Sequence, residues 1–313
     1  MSDPVSATLK ELSAHYAKKQ PKQVESITEK APILDTIKFE PSSHGLWNAY
    51  EEATRVEGAA FVEMNAPLPV VTADTELKKL DLSIMGGEME VPEDKCQMFG
   101  GPAGYFSRKM DIILRASGMS AEQRILYANF RQYALDKGRV LSAGAESNNC
   151  YSILAVRFEP GVTCGLYSPQ GFKNGAMLDV KPINGGNLYK NDKGVLVYGQ
   201  RLKGYFGIQI ADVRTVAAIV NINAEKVPTA TQIDDLLAMV RGDSADTHLF
   251  MHMRCKNLLN RYKSGGGLVE GAGSLQTTPA TKDVNRLFDY WNGIPITTSY
   301  NFLEGTEEAV SLS

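Results

Sequence analysis

The sequence predicts an α+β fold from which one long two-stranded arm projects, and three observations carry that expectation. Helical periodicity is strong but confined to a few stretches; Phe106, Met110, Ile113 and Leu114 stand at i, i+4, i+7 and i+8. Residues 139–223 are instead Gly-rich and β-leaning, with the apolar run Val216-Ala217-Ala218-Ile219-Val220. Residues 45–79 show neither a helical period nor a clear core face. A stretch of that length without structure of its own is unusual in a compact monomer.

Composition narrows the classes. The 313 residues exceed the roughly 250–300 at which one core stops growing, which predicts two domains or one body with an appendage. Hydrophobic residues at 43% and charged residues at 22% describe a folded chain, so wholesale disorder is excluded. Lys+Arg number 33 against 36 Asp+Glu, net −3, which rules out a broad basic surface for coating nucleic acid. No apolar run approaches the ~20 residues of a membrane span. Met1-Ser2-Asp3-Pro4 lacks a signal-peptide pattern, so synthesis in a cytoplasm and no membrane partner are expected. Cys96, Cys150, Cys164 and Cys255 form no Cys-x-x-Cys pair and read as scattered free thiols.

In chain order, residues 4–19 read as an amphipathic helix capped by Asp3, with Leu9, Leu12 and Tyr16 on one face. Residues 22–30 read as a second helix, closed by Ala31-Pro32-Ile33-Leu34. Residues 36–43 look like a strand entering a turn at Pro41-Ser42-Ser43. The 45–79 stretch, bent at Pro67-Leu68-Pro69, is most economically an arm of two strands. An isolated hairpin is marginal in water, so the arm needs another surface, best supplied by a neighbouring chain. Leu80, Leu82 and Ile84 then alternate with Asp81 and Ser83, Gly86-Gly87 suggests a turn, and Glu88–Val91 a return strand.

Residues 102–137 read as one long helix broken at Gly118, or as two helices, the second opened by Ser120 and Gln123 and stopped by Gly138. Asn191-Asp192-Lys193-Gly194 is a hairpin turn, and residues 205–223 read as two buried strands around Asp212-Val213-Arg214. Thr231, with Asp234 at N3, is expected to cap a helix buried through Ile233, Leu236, Leu237 and Val240. A strand over 247–253, a helix over Cys255–Lys263, a five-glycine loop from Ser264 to Gly273, and an α/β unit over 285–302 complete the chain.

The chemistry-bearing patterns each have a plainer reading. His248 and His252 lie four apart, but on a strand that spacing spans about 13 Å, too far for one zinc. Gly265-Gly266-Gly267 and Gly100-Gly101 lack the Lys-Ser/Thr that follows a phosphate-binding glycine loop. Adjacent Glu51 and Glu52 point to opposite faces of a strand, which does not suit paired acid–base work. His15 and His44 have no nucleophile near them in sequence, and Asp212 with Arg214 reads as a turn bridge. No catalytic, cofactor-binding or metal-binding residue is therefore assigned, and the expectation is a protein of assembly rather than an enzyme.

The order of elements resembles the tailed-bacteriophage major capsid proteins of the Hong Kong 97 type. The resemblance rests on five segments: the opening helix followed by APILDTIKFEPSS; the arm WNAYEEATRVEGAAFVEMNAPLPVV returning through TELKKLDLSIMGGEMEV; the helical stretch from Pro102 to Lys137; GVLVYGQRLKGYFGIQIADVRTVAAIVNIN; and the final WNGIPITTSYNF. It covers about residues 5–305. It implies an N-terminal arm over 1–44, an extended β-hairpin loop over 45–82, and a peripheral domain with a spine helix over 83–139. It further implies an axial domain over 140–200 and 224–292, peripheral strands over 201–223 and a C-terminal return strand over 293–313.

The function so implied is a shell of hexamers and pentamers enclosing packaged double-stranded DNA, bound without sequence specificity, in the capsid of a virion made in a host bacterial cytoplasm. Implied partners are further copies of the chain, a portal and a decoration protein. The few residues before the first helix leave no room for a cleaved assembly domain, so a separate scaffolding protein is expected. No Lys, Asn and carboxylate match the family's isopeptide crosslink, so none is expected. The alternatives are an encapsulin-like compartment housing a cargo enzyme, and a soluble α/β enzyme whose site assembles from distant residues.

Overall fold

The computed structural model describes residues 7–9, 27–57, 59–64, 67–68, 70–168, 179–242, 245–264 and 289–312. The described start of the expected first helix is a strand: β1 (Ala7–Thr8) pairs antiparallel with β2 (Lys38–Pro41). An available sheet edge here outweighs local helical pattern. Leu12, Tyr16 and residues 22–26 of the second expected helix lie outside the described residues. The described end of the second expected helix, at 27–28, is helical and gives way to a turn before Ala31 as expected, and Pro32 then opens a further helix, α1 (Pro32–Thr36). At the first helical position its missing N–H costs nothing.

The arm forms as expected. β3 (Trp47–Val56) and β4 (Ala73–Asp81) pair from Trp47↔Asp81 to Val56↔Ala73, with a bulge between Ala53 and Arg55. Gly86-Gly87, by contrast, is no turn: β5 (Ser83–Pro92) runs straight through it. Gly86 is required for close approach, since a Cβ there would stand 2.7 Å from the Leu202 carbonyl oxygen.

After α2 (Glu93–Gln97) comes the long helix, α3 (Pro102–Arg124), continued through a π-helical segment Ile125–Arg131 into α4 (Gln132–Asp136). It does not break at Gly118, and Ser120 caps nothing, because both residues lie inside α3. Its end is at Gly138 as expected. Gly138 adopts φ +64°, the Arg139 N–H reaches the Ala134 carbonyl and the Gly138 N–H the Leu135 carbonyl, a Schellman motif.

The remaining strands are β6 (Val140–Ser142), β7 (Tyr151–Arg157), β8 (Thr163–Tyr167), β9 (Asp179–Pro182), β10 (Tyr189–Lys190), β11 (Leu196–Ile210) and β12 (Val216–Ile222). Then follow α5 (Ala230–Met239), β13 (Thr247–His252), α6 (Met253–Ser264), β14 (Tyr290–Trp291) and β15 (Ile294–Ser299). The cap of α5 is Thr229, not Thr231: its hydroxyl accepts from the Gln232 N–H while the Gln232 side chain accepts from the Thr229 N–H. Asp234 instead accepts from Trp291 Nε1 at 2.7 Å and Asn292 Nδ2 at 2.9 Å. The turn at Asn191 forms, with its Oδ1 accepting from the Lys193 and Val195 N–H groups.

Two main sheets result. The seven-stranded sheet is built on β11: β5 pairs with Val197–Phe206 along one edge, while β10 at Leu196–Val197, β9 at Gln200–Lys203 and β8 at Phe206–Ile210 pair in succession along the other, and β2 and β1 follow β8. The six-stranded sheet runs β14-β15-β13-β7-β12-β6. Sheet membership cuts across the sequence divisions. Residues 201–223 are shared between the sheets, because Asp212 accepts from the Arg214 N–H at 2.8 Å and turns the chain from β11 to β12. Residues 140–200 are likewise shared, β6 and β7 in one sheet and β8 to β10 in the other.

Alternation explains the continuous apolar run of β12. Val216, Ala218 and Val220 join a core with Leu114, Leu126 and Phe130 of the long helix. Ala217 and Ile219 face the opposite core, with Leu236 of α5 and Leu259 of α6. The central strands β7, β12 and β13 are thus buried on both faces, which is why they carry no polar alternation.

Candidate assembly surfaces

The root of the hairpin is fixed by polar contacts. Asn48, 9% exposed, donates through Nδ2 to Gln209 Oε1 at 2.5 Å and accepts from the Ser43 N–H at 2.8 Å. Trp47 stacks on His44 with ring centroids 3.8 Å apart, and the Lys79 ammonium lies 5.4 Å from its ring. Glu52 pairs with Lys78 across the strands. Burial and the Glu52 carboxylate push the Tyr50 hydroxyl upward. Burial, then the same carboxylate, pushes the Tyr133 hydroxyl of α4 up to about 12. The Asn48–Gln209 bond thus ties the root to β11 of the body.

The tip is the opposite. Ten residues of β3 extend about 30 Å. Beyond them Phe61, Met64, Leu68 and Val70 are 109%, 93%, 79% and 85% exposed. These four large apolar side chains find no cover among the described residues of the subunit itself.

A groove of about 610 Å³ runs between the long helix and the seven-stranded sheet, lined by Leu34, Phe39, Ile84, Ile113, Ile125 and Phe206 among others. It is mainly apolar, with Asp81 and Arg124 also lining it. A second depression of about 1050 Å³ lies by the end of the six-stranded sheet, where Arg254 and Glu304 pair at 2.5 Å.

Two buried carboxylates tie distant segments to the long helix. Glu122, 0% exposed, accepts from the Ile33 N–H at 2.8 Å, the Leu34 N–H at 3.2 Å, Asn301 Nδ2 at 2.9 Å and the Ser299 hydroxyl. It thereby satisfies the first N–H groups of α1. Burial raises its carboxyl above the usual range, although these bonds each favour the charged form. Glu307, 3% exposed, accepts from Tyr127 Oη at 2.5 Å and from the Ser152 hydroxyl, with Arg131 Nε at 3.5 Å. Burial also raises its carboxyl.

The histidines, cysteines and glycine-rich segments occupy these places. His248 and His252 stand on β13, as the strand reading required. His248 stacks on Phe250, and His252 packs by Tyr151 and Tyr300; burial lowers both. No group of three or more His, Cys, Asp or Glu suited to a metal occurs among the described residues. The four cysteines are free and buried, and desolvation raises each thiol, so none is a ready nucleophile. Gly101 leads into α3 with Pro102 in its first turn. His44 bonds Ser43 Oγ. His15 and the glycine loop from Gly265 to Gly273 lie outside the described residues.

Sequence reasoning missed Glu122, Glu307 and the close approach at Gly118. Glu122 carried a signal, being a carboxylate on the four-residue stripe Leu114, Gly118, Leu126 and Phe130. Glu307 carried none.

A family model described as major capsid protein GP7 matches residues 118–310, more than half of the 313-residue chain. No curated protein matches. Among solved structures, a chain of bacteriophage Epsilon15 is 14% identical, with 88% of each chain covered and a TM-score of 0.52. A chain of the bacteriophage JBD30 capsid is 10% identical, covering 84% of this chain and 88% of that one, with a TM-score of 0.53. The SrpI encapsulin of Synechococcus elongatus PCC 7942 reaches only 0.44, at 13% identity over 62% of this chain and 88% of that one. At such identities the likeness is one of fold, here the Hong Kong 97-type capsid fold.

Proposed function

The chain belongs to the family of major capsid protein GP7 and self-assembles into the icosahedral shell of a bacteriophage virion; from that premise we propose that its copies join as hexamers and pentamers through the hairpin tip. The observation that carries this reading is the exposure of Phe61, Met64, Leu68 and Val70 at the end of the hairpin. Buried on a neighbouring copy, these side chains supply the interface core that the hairpin cannot find in its own subunit. Many such contacts, each modest, hold a closed shell through multivalency.

In this reading the long helix and the seven-stranded sheet form the peripheral part, and the six-stranded sheet with α5 and α6 the axial part. Residues 1–44 act as an arm between subunits. The shell encloses double-stranded DNA, and the net charge of −3 suits confinement without tight binding. A separate scaffolding protein guides closure, a portal occupies one vertex, and decoration protein binds outside. Maturation proceeds by rigid-body rotation of subunits with re-docking of the hairpin.

Light scattering and negative-stain microscopy on the purified chain, alone and coexpressed with candidate scaffolds, test the reading. Hexamers, pentamers or uniform hollow particles are expected. A compact monomer under both conditions would overturn it.

A further inference from the structure

The long helix carries a buried residue at every fourth position: Phe106, Met110, Leu114, Gly118, Glu122, Leu126, Phe130 and Ala134. In an ideal α-helix each step of four overshoots a full turn by about 40°, so such a stripe winds steadily around the helix. The π segment Ile125–Arg131 has wider turns and slows that winding, keeping Leu126, Phe130 and Ala134 aimed at one core. π turns are rare and need tertiary support.

That support comes from the end of the chain. Residues 299–310 run past the helix and are tied to the body by side chains. Ser299 and Asn301 bond Glu122. Phe302 packs edge-on against Tyr127, and the Leu303 N–H donates to Tyr127 Oη at 2.9 Å. Tyr127 in turn donates to Glu307, which also gathers Arg131 and Ser152. Beyond it, Val310 exchanges two 2.8 Å bonds with the side chain of Asn221. Asn221 sits at φ +58° within the irregular pairing of β12. Tyr127 and Arg131, both gathered by Glu307, belong to the π segment itself.

We propose that residues 299–310 are a strap that holds the long helix in its π register, with the Glu307–Tyr127 knot as its catch. When the knot opens, Ile125–Arg131 tightens toward α geometry and α4 rotates relative to α3. The rotation passes directly to the six-stranded sheet, since β6 begins two residues after Gly138 and the Ala218 N–H donates to the Arg139 carbonyl. The catch thus couples the chain's end to the angle between the two halves of the subunit. In a closed shell, which is where the chain's established role bears on the proposal, that angle sets curvature.

Hydrogen exchange on the full-length chain tests this, in wild type, Tyr127→Phe and Glu307→Gln. Tyr127→Phe keeps the ring packed on Phe302 and removes only the hydroxyl. The expected result is exchange roughly tenfold faster across residues 125–137 in both variants, with residues 105–120 unchanged. The diameters of assembled particles, imaged in parallel, should spread. Wild-type exchange across 125–137 in Tyr127→Phe would overturn the strap. Faster exchange with an unaltered particle diameter would overturn the coupling to curvature. The exchange arm does not depend on assembly, so its failure is distinct from a failure of the hairpin to join subunits.

Discussion

Gly118, in the middle of the long helix, lies against the carbonyl oxygen of Ile27 so closely that a Cβ at Gly118 would overlap it. Three contacts in register extend this seat. Glu29 pairs with Arg115 at 2.7 Å, and the Ile33 and Leu34 N–H groups meet Glu122. Residues 27–34 are thereby fastened along one face of the helix.

Gly118→Ala tests the seat directly. In an exposed helix this change would stabilise by about 1 kcal/mol. Here the methyl meets backbone rather than a movable side chain, and a net loss of about 1–3 kcal/mol is expected from overpacking. Chemical unfolding of the unassembled subunit measures it. A stabilised variant would mean that residue 27 is not held at this site.

Glu122 gives a pH dependence with a definite sign. Its folded carboxyl lies above the ordinary value of 4.5, so the folded chain holds that proton more tightly than the unfolded one. The associated stability is fully present below the unfolded value and is lost as pH rises through the folded value. Relative to Glu122→Gln, the wild type should therefore lose stability from about pH 4 toward neutrality. At neutral pH Glu122→Gln should still cost about 1–3 kcal/mol, because the amide keeps only one acceptor oxygen and its NH2 group must face either the Ile33 and Leu34 N–H groups or the Asn301 amide nitrogen, donor against donor. A wild-type advantage that grows with pH would contradict the sign.

The hairpin tip separates folding from assembly. Phe61→Asp and Leu68→Asp place a charge where the subunit itself makes no use of the side chain, so unfolding should shift by no more than about 0.5 kcal/mol. Assembly, followed by light scattering, should fail. Trp47 is the wrong place for this test, because it stacks on His44 within its own subunit. Normal particles from both tip variants would remove the tip from the interface.

Two adjacent glycines should respond differently. A Cβ at Gly86 would stand 2.7 Å from the Leu202 carbonyl oxygen, whereas one at Gly87 meets nothing within 4 Å. Gly86→Ala should destabilise by about 1–3 kcal/mol by prising β5 from β11. Gly87→Ala should change stability by less than about 0.5 kcal/mol. Equal effects on thermal unfolding would argue against the β5–β11 register.

Local pattern by itself determined the α+β class, the projecting hairpin, the end of the long helix at Gly138 and the buried run of β12. Each is written in neighbouring residues: an absent core face over 45–79, a glycine that tolerates positive φ, five consecutive small or β-branched apolar residues. Only the tertiary structure decided which sheet each strand joins, that Gly86 and Gly118 serve close approach rather than turning or ending a segment, and that Thr229 rather than Thr231 caps α5. It alone brought Glu122 to Ser299 and Glu307 to Tyr127, 177 and 180 residues apart in the chain. Periodicity reports the direction in which a side chain points relative to its own element. It carries no information about which carbonyl, ring or carboxylate arrives there from elsewhere, and in this subunit those arrivals fix the arm's root, the helix's register and the final course of the chain.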